Sequence, residues 1–581
     1  MLVHRTEHSG QRVAVGVAHL VDAPPSVSAD TDCTPDRLRL TLTGPLRPGE
    51  RLRLTKFAAH ECTPAGGVPP DELADLVVAE ADAARADGFD ALLDSQRAAL
   101  DAAWRTADVE LDGDPELQLA VRFALFHLIQ AGRPDGDRTI TAKGLTGNGY
   151  DGHVLWDTES YVLPVLTYLD PPVARSALRW RHAHLPEARE RAAELRLAGA
   201  TFPWRTIGGR ECSGYWPAGS AALHVNADIA DAVLRYTAAT GDDEFLAETG
   251  LDLLVETARL WQRFGHWLDG TFHLHGVTGP DEYAALVDDN LFTNLMARRN
   301  LRGAADAVER HPDRAERLAV DPAEVAGWRA AADAMFVPYD HARGVHQQCA
   351  GFTAQPEWDF ARTGADDYPL LLHHPYLELY RKQVVKQADL VLAMLRCPGE
   401  FSADEKARNV AYYEPRTVRD SSLSAAPQAV LAAEVGHLDL AYDLFAESVL
   451  QDLEDLGDKT ADGLHLASLA GSWLALVQGF GGMRDDQGVL AFDPRLPRRI
   501  HRLAFHLRWH GHRLRVTLTP DEARYELPDA EPATAVEVWH HGERLRVVGG
   551  SPVVRPMPPV PDAGPEPSCP PGRRPVRRTA R

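Results

Sequence analysis

A carboxylic acid pinned at a tight turn is the group that general acid catalysis needs, and Glu282 has that setting. In the stretch 276–294, GVTGPDEYAALVDDNLFTN, Gly279 and Pro280 break the backbone just before Asp281, Glu282 and Tyr283, and a helical pattern follows. A turn fixes an acid better than a long loop does, although the same two carboxylates could simply cap the helix. The surrounding chain favours chemistry. Four other stretches carry an unusual density of aromatic, amide, hydroxyl and charged residues beside helices: 149–159 (GYDGHVLWDTE), 202–216 (FPWRTIGGRECSGYW), 384–389 (VVKQAD) and 412–424 (YYEPRTVRDSSLS), with 463–471 (GLHLASLAG) close behind. Trp156 beside Asp157, and Lys386 beside Gln387, are pairs suited to a sugar: the ring face packs on indole while carboxylate and amide bond the hydroxyls.

Several apparent motifs lead elsewhere. GNGYDG at 147–152 matches the dinucleotide fingerprint by letter, but 139–146 is not a buried apolar strand and no βαβ pattern follows. The pairs His182/His184, His273/His275 and His510/His512 have no Cys or carboxylate at ligand spacing in the sequence, so no metal is expected. There is no G-x-S-x-G elbow and no Walker loop, which leaves acyl transfer and nucleotide hydrolysis without support.

The elements that must position these groups follow a strand, helix, strand order. Val13, Val15 and Val17, then Leu38, Leu40 and Leu42, then Leu52 and Leu54, alternate as strands do. So few strands make a poor core, and we expect 1–70 to be part of a larger β-sandwich whose exposed edges leave a homodimer open. An Ala-rich helical linker, 71–113, leads into a helical region, 114–484. There Asp114 and Pro115 start a helix, and further helical runs include 291–308, 377–395, 422–435 and 464–479. Strands return over 485–550, with His510-Gly511 as a hairpin turn. The Pro- and Arg-rich stretch 551–581 has little to bury and is expected to be disordered.

At 581 residues the chain is long enough for two or three domains, and 44% apolar composition supplies a large core. A net charge of −23 disfavours nucleic acid and anionic membranes as partners. Six scattered cysteines, no apolar leader and no bilayer-length run point to the cytoplasm.

Taken together, the chemical stretches and GVTGPDEY closely resemble glycoside hydrolase family 65, the inverting α-glucoside phosphorylases of maltose, trehalose, kojibiose or nigerose. The motifs run in the family's order from about Leu117 to Arg484. The resemblance implies a mainly α fold, an (α/α)6 barrel flanked by an N-terminal β-sandwich, of which only about the last quarter is expected here, and by a small C-terminal β-domain. It makes Glu282 the general acid and puts Trp156, Asp157, Lys386 and Gln387 in the −1 subsite. It implies a phosphate pocket from Ser421, Ser422 and His465, with Gly463 and Ser468. Glu211, Tyr215 and Glu414 join the substrate-binding set. No cofactor is implied, inorganic phosphate being a co-substrate. Because Glu211-Cys212 is followed by Ser213, Gly214 and Tyr215 where maltose-specific members carry His-Asn-Glu, the +1 subsite is not expected to suit maltose; trehalose, then kojibiose or another α-glucobiose, is the expected donor. An inverting hydrolase needs a second carboxylate to activate water, whereas phosphate is already an anionic nucleophile. A hydrolase, with Glu414 or Asp420 as base, and an inactive sugar-binding homologue stay open as alternatives.

Overall fold

The computed structural model describes the chain except for residues 65, 133, 135, 137, 458, 459 and 579–581. It separates into two compact units, 1–105 and 106–581. In the first, the strands Leu2–Arg5, Arg12–Asp22 and Arg53–Thr63 form an antiparallel sheet, and Ser28–Thr34 pairs with Arg37–Thr43 in a separate ribbon. The helix Pro70–Asp87 packs on the sheet, with Leu73 and Val77 buried against Ala14. Gly16 makes this close approach possible, because a Cβ there would lie 2.2 Å from the Val77 carbonyl oxygen. The first helix of the expected linker therefore belongs to the core of this unit.

The second unit is an (α/α)6 barrel with a β-domain. The inner ring runs through Leu163–Leu169, His224–Thr240, Leu291–Arg310, Asp389–Arg396, Ala425–Glu434 and Leu466–Leu474, each touching the next and the last touching the turn before the first. Pro115–Ala131, Pro171–Ala183, Leu251–Phe264, Pro322–Asp333, Ala403–Tyr413 and Leu438–Leu450 pack around it. The inner helices are buried on nearly every side, as their all-round apolar sequence requires. The segments 276–290 and 384–388 lead into two of these helices, Leu291–Arg310 and Asp389–Arg396.

Three expectations change. The run 377–395 is not one helix: Tyr376–Leu379 ends early, and 384–388 is held extended by the bridge between Val385 and Thr417 before Asp389–Arg396 begins. Two successive β-branched residues favour that extension. Within the expected linker, Glu110–Asp112 is a strand, pairing with Arg502–Trp509 at the edge of the C-terminal sheet so that Val109 and Leu111 are buried. The stretch expected to be disordered contributes the strand Val553–Pro556, paired with Glu522–Glu526, and then runs back to the barrel. The hairpin at His510-Gly511 is found, both residues having positive φ as a tight two-residue turn requires. Among the described residues no helix is long and apolar enough to cross a membrane.

Candidate active site

The acid loop is built around the buried carboxylate of Asp281. Its Oδ1 accepts the backbone N–H of Tyr283 (3.1 Å) and of Lys386 (3.0 Å), and its Oδ2 accepts Gln348 Nε2 (2.7 Å). The Asp281 N–H donates in turn to Asp389 Oδ1 (2.6 Å), whose other oxygen accepts Asn290 Nδ2 (2.6 Å). Burial pushes both carboxyls above the usual carboxylate range, so the dense set of donors is what lets them persist there. Gln387 Nε2 donates to the Pro280 carbonyl (2.6 Å), which ties the 384–388 segment to the turn from the other side. Asp281 thus has a larger structural task than capping a helix.

Glu282, next along the chain, turns the opposite way and keeps partial exposure. Its Oε2 lies 3.1 Å from Lys386 Nζ. Burial lowers the Lys386 ammonium's affinity for its proton, but the charge of Glu282 and its hydrogen bond, with Asp281 behind them, outweigh this and hold the pKa above the ordinary lysine value. Asp157 enters from the turn before the helix Leu163–Leu169. That turn is anchored by the buried pair Arg181–Glu159, two bonds of 2.7 and 2.9 Å, and by Thr158 Oγ1 donating to the Ile140 carbonyl. Burial pushes the Asp157 carboxyl up to about 6, its backbone hydrogen bond and His465 pulling it down and Glu159 and Glu282 pushing it up. Trp156 is buried edge-on against His224, with ring centroids 5.2 Å apart.

Lys386, Tyr150, Ser421, Ser422 and His465 share one cleft of about 1520 Å³, which continues as a groove along the C-terminal stretch. His465 is fixed by Asp452, whose two oxygens accept its backbone N–H and its Nδ1–H at 2.7 Å each, leaving Nε2 for a ligand. Ser421 Oγ accepts the Leu423 N–H (3.2 Å) in the turn that starts the helix Ala425–Glu434. Gly463, at φ +105°, abuts Gly147, where a Cβ would lie 2.5 Å from the Gly463 Cα. Lys143 Nζ donates to the Gly463 carbonyl (2.9 Å). Gly147 and Gly149 of GNGYDG therefore serve this close approach to the 462–463 backbone and no nucleotide turn.

Other expected site residues are otherwise engaged. Glu414 is buried, its Oε2 accepting Gln428 Nε2 (2.6 Å) and its Oε1 facing Arg419 and Cys569 at 3.5 Å. Ser468 exchanges hydrogen bonds with Ser448 across two helices, donating to its carbonyl at 3.2 Å. Glu211 closes its own loop, accepting from the N–H of Trp204 and from Ser213. Tyr215 shares a hydroxyl hydrogen bond with Tyr380 and stacks on Tyr376. Burial raises the pKa of both hydroxyls, and the field of Glu282 reaches each.

Sequence reading missed Tyr150, Tyr376, Tyr380 and Arg573. Tyr150 lies in the candidate stretch 149–159 as well as in the discarded fingerprint but was not singled out, yet burial first and the charge of Asp157 next raise its phenol, with Lys386 and Glu282 also acting on it. Arg573, from the stretch expected to be disordered, donates to the carbonyl of Arg419 (2.7 Å) and to Asp420 Oδ1 (3.2 Å). Asp420 Oδ2 accepts Tyr283 Oη (2.7 Å) and the Leu370 N–H (2.8 Å), so this carboxylate is fully occupied. Nothing local in a Pro/Arg-rich run announces such a docking.

An (α/α)6 ring with the partly exposed Glu282, Lys386 and a hydroxyl-lined cleft at its loop ends has the make-up of a carbohydrate-processing enzyme. The comparison with known proteins is specific: the chain belongs to glycosyl hydrolase family 65. The family's central catalytic domain matches residues 122–474, its C-terminal domain 483–547 and its N-terminal domain 1–103. The chain is 53% identical over its whole length to an uncharacterized glycosyl hydrolase of Mycobacterium tuberculosis, 73% of which is covered. It is 37% identical to the α,α-trehalose phosphorylase of Thermoanaerobacter brockii, over 94% of this chain and 72% of that protein. With the kojibiose phosphorylase of Halothermothrix orenii it shares 34% identity over 78% of this chain and 61% of that protein. A solved human-microbiome protein, provisionally described as a kojibiose phosphorylase, superposes with a TM-score of 0.87 at 24% identity, covering 95% of this chain and 73% of that one. The match to the N-terminal domain assigns 1–103 to that domain of the family, here a short sheet with its packed helix.

Proposed function

We propose that the protein cleaves an α-glucobiose with inorganic phosphate, giving β-glucose 1-phosphate and glucose, with trehalose the favoured donor and kojibiose next. The observation that carries this reading is the fate of the carboxylates near the serine turn. Asp420 and Glu414, which a water-activating mechanism would need, are buried and saturated by Tyr283, Leu370 and Arg573 in one case and by Gln428 and Arg419 in the other. Ser421, Ser422 and His465 line the cleft shared with Lys386, where the Asp420 carboxylate is already taken up by its three donors. That is an anion's surroundings rather than a base's.

In this reading Glu282 gives its proton to the glycosidic oxygen as the C1–O bond to the leaving glucose breaks. A phosphate oxygen, held by Ser421, Ser422, His465 Nε2 and the Gly463 turn, forms the new bond to C1 from the opposite face. Inversion of the α-linkage then yields the β-phosphate, and the acid regains its proton from solvent. Asp157, Lys386 and Gln387 bond the sugar hydroxyls against Trp156, and Tyr215, Tyr376 and Tyr380 border the leaving sugar. Ser213, Gly214 and Tyr215 in place of His-Asn-Glu speak against maltose, and the trehalose phosphorylase relative speaks for trehalose. Six cysteines without a disulfide fit a reducing cytoplasm. Glucose release from a panel of α-glucobioses in phosphate tests the donor: trehalose should be turned over fastest, and turnover of maltose alone would refute this assignment.

A further inference from the structure

The neck of the loop that carries Glu282 holds a second cluster, which the reaction does not use. The strand Thr271–His273 pairs with His266–Leu268, and Asp289 returns beside it after the loop. At its neck the loop is closed by Asp289 N–H donating to the Leu274 carbonyl (2.8 Å), by Gly276 N–H donating to Asp288 Oδ1 (3.0 Å), and by the bridge between Val277 and Val287. His273 and His275, two apart on extended chain, present their rings on one side with centroids 5.4 Å apart. Asp289, at φ +51°, turns its carboxylate towards both, a conformation that Asp adopts more readily than most residues. Its Oδ2 lies 2.9 Å from His273 Nδ1 and 3.4 Å from His275 Nε2. The sequence offered no carboxylate at ligand spacing to these histidines, because the loop that brings Asp289 back is folded.

We propose that His273, His275 and Asp289 bind one divalent transition-metal cation of the zinc class, which clamps this neck. The three ligand atoms lie within 4.8 Å of one another. A tetrahedral ion with bonds of about 2.0–2.1 Å wants its ligands roughly 3.3 Å apart, which the 2.9 and 3.4 Å separations bracket. Two imidazoles and a carboxylate select Zn²⁺, Co²⁺ or Ni²⁺ over Mg²⁺ or Ca²⁺, which prefer all-oxygen sets. The carboxylate is already aimed, since Asp289 Oδ1 accepts the Leu274 N–H and Asn294 Nδ2 at 3.1 Å each. His266 stands over the cluster with its ring centroid 4.4 Å from that of His275, within reach of a fourth position that water can otherwise fill. The ion would join the outgoing and returning arms of the loop and touch neither sugar nor phosphate.

The test uses the untagged full chain, stripped with EDTA and titrated with Co²⁺ and with Zn²⁺. One equivalent per chain should bind, with the visible absorption of four-coordinate Co²⁺ and a raised melting temperature. His275→Ala, at a side chain 40% exposed and so compatible with folding, should weaken binding at least tenfold, and His275→Gln should do the same. Circular dichroism checks the fold of each variant. Absence of stoichiometric binding at a large excess of metal would overturn the proposal. So would equal affinity in the wild type and both variants, since the histidine–aspartate hydrogen bonds would then be the whole of the clamp.

Discussion

Asp281 and Lys386 hold each other at one point while the lysine reaches for the acid at another: Asp281 Oδ1 accepts the Lys386 backbone N–H at 3.0 Å, and Lys386 Nζ stands 3.1 Å from Glu282 Oε2. The backbone bond positions the lysine, and the side chain orients the acid. The two contributions are separable. Lys386→Met keeps the backbone bond, and we expect kcat/KM to fall by about 10²-fold with an unchanged melting temperature, the scale of losing a charge-assisted contact in the reacting site. Asp281→Ala leaves the N–H groups of Tyr283 and Lys386 and the Gln348 amide without their acceptor in a buried site. It should lower both activity and melting temperature. Steady-state kinetics beside thermal unfolding distinguishes the two, and equal melting-temperature losses would contradict the division.

Asp157 should set a pH dependence. Its folded pKa, about 6, lies above the ordinary Asp value, so the folded state holds a proton that the unfolded state has already released between roughly pH 4 and 6. Stability contributed by this group is therefore lost as pH rises through that window. At pH 7 Asp157→Asn should be more stable than wild type by about 1–3 kcal/mol. The rise from the ordinary Asp value to about 6 counts for about 1.36 kcal/mol per pH unit, and the residue's partial exposure softens it. The same substitution should cost activity and remove the acid limb near pH 6. Urea unfolding at pH 4.5 and 7 checks the stability half, and a variant less stable at pH 7 would contradict it.

Glu434 has the opposite sign. Burial raises its carboxyl, but Arg484 and Lys406, at 2.5 and 2.6 Å, overcome this and pull it down to about 2. Its stabilising effect is present above the unfolded pKa near 4.5 and is lost as pH falls towards 2. Glu434→Gln should destabilise the protein by about 2–3 kcal/mol at pH 7, and the gap between the two should narrow as pH falls below 4.5. A constant difference across that range would show that packing, and not charge, is responsible.

Much of this was legible in the chain. GPDEY gave the turn that holds Glu282 because Gly and Pro act locally, and the 3.6-residue period gave most of the helices. What failed depended on partners distant in sequence. Glu414 reads as a cleft residue until Gln428 and Arg419 close around it, and Ser468 until Ser448 takes its hydroxyl. Arg573 lies 153 residues from Asp420 in a stretch with little apolar residue to place it. The run 377–395 looked like one helix because its apolar spacing is helical, while the bridge of Val385 to Thr417 that interrupts it is a tertiary contact.

Arg573 leads to a further prediction. Its guanidinium neutralises the buried Asp420 and grips the loop carrying Ser421, so Arg573→Ala leaves that carboxylate short of a partner. Loss of a hydrogen bond to a charged group costs roughly 1.5–3 kcal/mol. We expect the apparent KM for phosphate to rise about tenfold or more while that for the disaccharide changes little, with partial recovery in Arg573→Lys. Equal rises in both constants would assign Arg573 to folding alone.

The central claim, that phosphate and not water attacks, is tested most directly by following trehalose cleavage with and without phosphate and identifying the product by ³¹P and ¹H NMR. The account predicts that turnover requires phosphate and yields β-glucose 1-phosphate, that Ser421→Ala and His465→Ala each raise the phosphate requirement, and that Glu282→Gln loses about 10²–10⁴ in rate. Release of free β-glucose at full rate without phosphate, abolished by Asp420→Asn or Glu414→Gln as completely as by loss of Glu282, would contradict it.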